Sequence, residues 1–153
     1  MLRPRYLLAL LPFLAACGDN QDPGGAAELW DRIHEEDYTS WGRAPGYEST
    51  RASSAPHSDQ VDIYVNDVVA AALAAGDSLS EWPLDSLIVK DGFTDGGELA
   101  IVAAMEKRDA GWFWVEWTDT EAGGDSAKYS GSPSICTDCH SAGSDFVRAF
   151  TLP

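Results

Sequence analysis

Positive charge is scarce in this chain: 10 Lys and Arg stand against 25 Asp and Glu, for a formal net charge of −15. Nucleic-acid binding needs clustered Lys and Arg to meet phosphate, so no nucleic acid is expected as a partner. Imidazole and sulfur are scarce too, at 3 His, 3 Cys and 2 Met. A structural zinc ion wants four ligands, usually from two Cys/His pairs, and there is no second cysteine pair. The longest apolar run, Tyr6 to Ala16, is too short to span a bilayer as a stable helix. No repeat, phosphate loop or Ser/His/Asp pattern stands out.

What remains fits one domain plus ends, since 153 residues suffice for one real core but not for two. The surplus acid reads as a solvated surface, with steering of a basic electron-transfer partner as the alternative. Six Trp, 5 Tyr and 5 Phe suit a protein that encloses a large flat cofactor.

The chemistry is concentrated in Cys136-Thr137-Asp138-Cys139-His140. Cys-x-x-Cys-His is the attachment signature of a c-type haem. Two thiols three positions apart can both add to vinyl groups along one porphyrin edge. The adjacent His140 then lies under the iron as its ligand. A thioredoxin-like redox pair would follow the first strand of a βαβ unit, which is not found here. The expected cofactor is therefore covalently bound haem c.

The common cytochrome c layout is excluded, because Ser141 to Pro153 supply neither Met nor His as a second iron ligand. Met105, the lone internal Met, alternates like a core residue. His34 reads as an exposed helix histidine. His57 lies in a loop, where a distal ligand role is the less favoured reading. A five-coordinate or water-capped iron is expected, which implies small-molecule chemistry or binding rather than electron carriage alone.

The N-terminus reads as an export signal: a basic start with Arg3 and Arg5, an apolar middle, then small residues. Leu14-Ala15-Ala16-Cys17 resembles a bacterial lipobox. Residues 1–16 are then a lipoprotein signal peptide, and Cys17 becomes the acylated N-terminus. Loss of Arg3 and Arg5 brings the mature chain to about −17. Cysteine arithmetic agrees, because lipid takes Cys17, haem takes Cys136 and Cys139, and no thiol is left over. Residues 17–27 read as a flexible tether, and 28–153 as the haem domain. The expected location is the periplasmic side of a bacterial membrane.

Along the domain, helical spacing runs from Ala27 to about Trp41. Gly42 to Asp59 reads as loop. Val61 to Val65 alternates as a strand, and Asn66 caps a helix that stops at Gly76. Strands follow at Ser86–Asp91, Leu99–Lys107 and Trp112–Thr118, with turns at Gly92–Gly97 and Asp109–Gly111. In the third, Trp112, Trp114 and Glu116 share one face. That face looks either at water or into a pocket. Asp119 to Gly131 reads as loop. The fold class expected is α+β and β-rich: an antiparallel sheet, a few flanking helices and a C-terminal CxxCH haem segment.

Several of these segments, taken in order, resemble the cytochrome P-460 family. They are Val61 to Asp67, Trp82-Pro83 leading into Leu87 to Lys90, Gly111 to Trp114, and Cys136 to His140 followed by Asp145-Phe146-Val147. The resemblance spans about Leu29 to the end. It implies a small β-rich fold, often a homodimer, with a c-type haem and an open distal pocket. It implies oxidation of hydroxylamine, and a third covalent bond to the haem from a strand lysine, which Lys90 matches by its Ile-Val-Lys context. Glu116 looks like the distal carboxylate that handles protons. A related branch, the cytochromes c′ of β-type, lacks the cross-link and binds nitric oxide.

Three functions follow for a membrane-tethered mono-haem protein. It oxidises hydroxylamine or a similar small nitrogen compound, with an external electron acceptor such as another cytochrome. It binds a diatomic gas. Or it carries electrons with no substrate. Turnover separates the first from the others, and ligand binding to ferrous iron separates the second from the third.

Overall fold

The computed structural model describes residues 21–53 and 56–153; the stretch that reads as a signal peptide and Cys17, the expected acylation position, lie outside the described residues. Among the described residues the fold is α+β, a seven-stranded antiparallel sheet with three α-helices. The strands are β1 (Gly42–Arg43), β2 (Arg51–Ala52), β3 (Gln60–Val65), β4 (Leu87–Phe93), β5 (Leu99–Arg108), β6 (Gly111–Trp117) and β7 (Ala127–Gly131). Their order is β1-β3-β4-β5-β6-β7, and β2 pairs with the far end of β3 beside β1. The helices are α1 (Pro23–Glu35), α2 (Asp67–Ala75) and α3 (Ser134–His140). Among the described residues, no helix is long and apolar enough to cross a membrane.

Alternation gives the sheet two different faces. Leu87, Val89, Val102, Ala104, Phe113, Val115 and Trp117 form one, and α1 closes it with Ala26, Leu29 and Ile33. Trp117 and Ile33 are fully buried there. The opposite face carries Ile63, Val65, Ile88, Met105, Trp112 and Trp114. At one end it packs against Val69 and Ala72 of α2, Trp82 and the C-terminal Val147 and Phe150. The rest of that face is left for a cavity.

Four local readings are corrected. The helix begins at Pro23, inside the stretch read as tether, because Asp22 caps it by accepting from Gly25 N–H at 2.9 Å. Gln21 and Asp22 also bond Ser130 on β7, so the ordered domain starts earlier than residue 28. The helix ends before Trp41: Asp37 has φ 48°, and a single 3₁₀ turn, Tyr38–Ser40, follows. β4 continues through Gly92 and Phe93, which were read as turn. The stretches 42–59 and 119–131 are not pure loop. The first carries β1 and β2, and the second carries β7, which completes the sheet edge beside β6.

Candidate functional site

One row of side chains crosses the cavity face of the sheet. Ile63, Lys90, Ala103, Glu116 and Tyr129 are successive cross-strand partners on β3 to β7. Lys90 and Glu116 therefore stand two strands apart, about 10 Å by strand spacing, with only the methyl of Ala103 between them. Above this row lies a cavity of about 680 Å³. Small-molecule and cofactor sites run from roughly 300 to 1,000 Å³. Lys90, Glu116, Cys136, Cys139 and His140 all line it, although they come from two strands and a helix.

α3 supplies the thiols. Cys136 and Cys139, at i and i+3, share a helix face. Neither forms a disulfide. Cys136 is half-buried, and burial pushes its thiol up to about 11, with Glu116 and Cys139 adding to the effect. Cys139 is exposed, and Arg148 Nη1 lies 3.0 Å from its sulfur.

His140 ends the helix, and its Nδ1 lies 2.9 Å from the Phe146 carbonyl oxygen. The N–H of Nδ1 donates there, which leaves the Nε2 lone pair free. Burial holds the imidazole below its ordinary pKa, so the ring is neutral. The acceptor is placed by a tight turn. A Cβ on Gly143 would lie 2.5 Å from the Val147 oxygen, and Asp145 and Phe146 are left-handed at φ 43° and 66°. Asp145 is tied down at 2.9 Å by buried Lys107 and at 2.8 Å by the Trp82 N–H. Burial pulls the Lys107 ammonium down, but Asp145 and Glu81 outweigh it and raise its pKa. Trp114 packs edge-on against His140, ring centres 4.5 Å apart.

Glu116 faces the cavity rather than bulk water and is 8% exposed. His57 Nδ1 lies 2.8 Å from its Oε2. A bulge where β7 passes Glu116 and Trp117 leaves Lys128 without a cross-strand partner and brings its Nζ to 3.7 Å from Oε1. Burial pushes the Glu116 carboxyl up, but the hydrogen bond from His57, with Lys128, holds it below the usual range. It is therefore an acceptor at neutral pH. Burial pulls the Lys90 ammonium down, against the opposing pull of Cys139 and Glu116.

These features fit a porphyrin iron. His140 presents one oriented, neutral nitrogen; two thiols stand beside it on one helix face; the walls are largely apolar. Among the described residues the indole N–H of Trp114, on the wall, is buried without an acceptor. Among the described residues no three His, Cys, Asp or Glu side chains converge as a metal cluster, and an iron carried in a porphyrin needs none.

The other candidates separate. His34 is on the exposed side of α1, stacked on Trp30 at 4.1 Å and bonded to its carbonyl. Met105 is buried on the cavity face between Ile88 and Trp114. His57, a loop histidine in sequence, lies inside the cavity. Sequence alone gives Lys107, Asp145 and Trp82 no role, although Trp82 and Asp145 lie in segments that carry the resemblance; their convergence on the His140 turn marks them. Comparison of the chain with protein-family models, curated proteins and solved structures finds no significant match.

Proposed function

We propose that the protein is a lipid-anchored, periplasmic mono-haem c-type cytochrome of the P-460 kind that oxidises hydroxylamine or a similar small nitrogen compound. The observation that carries this reading is the shared cavity: Cys136, Cys139 and His140 line it together with Lys90 and Glu116. Bound there, haem supplies an iron that takes electrons from a small ligand and passes them singly to an external acceptor. Cys136 and Cys139 would hold the porphyrin through thioethers, and His140 Nε2 would hold the iron. Lys90, with its ammonium disfavoured by burial, would present an amine for the third covalent bond, in which an N–C bond replaces a porphyrin C–H bond, two protons leave and the external acceptor takes the two electrons. Glu116, ionised at neutral pH, accepts the protons that hydroxylamine sheds as it is oxidised.

Two measurements on purified protein test this. A red-shifted, broadened ferrous Soret band reports the Lys90 link, and turnover of hydroxylamine with an electron acceptor reports the activity. Binding of nitric oxide or carbon monoxide without turnover would assign the protein to gas binding instead. Neither turnover nor gas binding would leave electron transfer alone. Protein matured in a haem-attaching host yet free of haem would overturn the whole reading.

A further inference from the structure

Two imidazoles face this one cavity, and their geometry is alike. His140 and His57 both line it, with ring centres 6.4 Å apart. Each has its Nδ1 engaged with an oxygen: Phe146 carbonyl at 2.9 Å for His140, Glu116 carboxylate at 2.8 Å for His57. Each therefore has Nε2 as its free nitrogen. A ring nitrogen tied to a carboxylate or carbonyl is the usual second contact of a metal-binding histidine. The spacing also matches. About 2 Å from metal to nitrogen, and about 1 Å from nitrogen to ring centre, put two trans imidazoles about 6–6.5 Å apart.

From this geometry we infer that His57 is a displaceable sixth ligand of the haem iron, opposite His140. The inference rests on haem occupying this cavity, as proposed above. Displaceability follows from where His57 sits. It is on the connection between β2 and β3 rather than on the sheet, and its side chain is 20% exposed. Its backbone, by contrast, is firmly set against β4. Ser58 Oγ donates to the Phe93 carbonyl at 2.6 Å, and a Cβ on Gly92 would lie 2.5 Å from the His57 oxygen. The side chain can swing while its anchor stays. When it leaves, the iron position and Glu116 Oε2 are uncovered together. An entering ligand thus gains the metal and the proton acceptor in one movement. No electron or proton changes hands in this exchange; one nitrogen donor replaces another.

Electron paramagnetic resonance and absorption of the ferric holoprotein test it, with His57→Ala beside the wild type. The wild type is expected to be low-spin and the variant high-spin, and added free imidazole should return the variant to low-spin. Carbon monoxide binding to the ferrous wild type should level off in rate as the gas concentration rises, because His57 must leave first. In His57→Ala the rate should climb linearly and exceed the wild type at least tenfold at high gas. Near-infrared magnetic circular dichroism of the wild type alone identifies a bis-imidazole pair, should the variant fail to fold. A high-spin wild type carrying covalent haem overturns the inference and leaves the proposed function standing. So does a variant that stays low-spin. Wild type without haem overturns both.

Discussion

Asp91 sits next to Lys90 on β4 but points to the opposite face, and its environment lets a stability effect be worked out before it is measured. It is 4% exposed and lies directly across from Asp62 on β3. Its compensation is a hydrogen bond from the Tyr38 hydroxyl at 2.9 Å. Burial pushes its carboxyl up to about 6, with Asp62 adding to the effect and the Tyr38 bond opposing it. The ordinary value is 3.8. Between about pH 4 and 6 the folded protein therefore holds a proton that the unfolded chain has lost, so stability falls as pH rises through that window. At about 1.4 kcal/mol per tenfold change in proton affinity, the full loss is about 3 kcal/mol, reached above pH 6. Asp91→Asn keeps the Tyr38 bond and removes the charge. It should stabilise the protein by about 1–3 kcal/mol at pH 7, after the cost of its new amide donors, and lose that advantage towards pH 4. Urea unfolding of both proteins at several pH values measures this. A difference that does not change with pH, or that grows towards acid, would refute the reasoning.

The other predictions concern attachment and the histidine turn. Cys136→Ser with Cys139→Ser should leave no thioether-bound haem after denaturing electrophoresis, whereas either single change should leave at most one thioether. Cys17→Ser should abolish acylation and release the protein from membranes, and retention there would point to another anchor. Lys107→Met strands Asp145, so it should cost about 3 kcal/mol in thermal or urea unfolding. If the turn orients His140, that variant should also lower haem content, and full haem content would break the link. Peptide mass spectrometry should join the Lys90 peptide to the Cys136–Cys139 haem peptide; a free Lys90 peptide removes the main support for hydroxylamine chemistry.

Much of the sheet was legible because its signals are local. Alternation from Trp112 to Trp117 assigns Trp112, Trp114 and Glu116 to one face, and the structure puts them there. Asn66 and Gly76 bracket α2 as their chemistry dictates. β1, β2 and β7 were not legible, since two-residue strands have no period, and Ala127–Gly131 follows an acidic, Gly-rich stretch that hides it. The start of α1 was missed for a similar reason. Gly24 and Gly25 look like linker, and only the Asp22 cap and the packing of Gly25 and Ala26 against the sheet side reveal a helix. In the site, the Cys136-x-x-Cys139-His140 spacing was legible because it is local, and the structure sets all three residues at one cavity. His57 was not, because its position depends on Gly92, thirty-odd residues away, letting one backbone approach another.

The two faces of the sheet divide the labour of the molecule. On the α1 face, bulky buried side chains of helix and sheet form one cluster, as stability requires. On the other, the sequence places Ala103 between Lys90 and Glu116, where a Leu or Ile would fill the gap. A void of about 680 Å³ beside a small core is costly if apolar and empty, since lost contacts accumulate with its volume. The same wall carries a buried Trp114 N–H with no acceptor among the described residues and a Lys90 whose pKa burial lowers. Each of these is unfavourable for the polypeptide alone. A flat, largely apolar group such as the haem proposed above would restore the missing packing contacts along the cavity wall. On the proposal that haem binds here, the polypeptide should gain stability from it as well as chemistry, by the general rule that whatever binds only the folded state stabilises it.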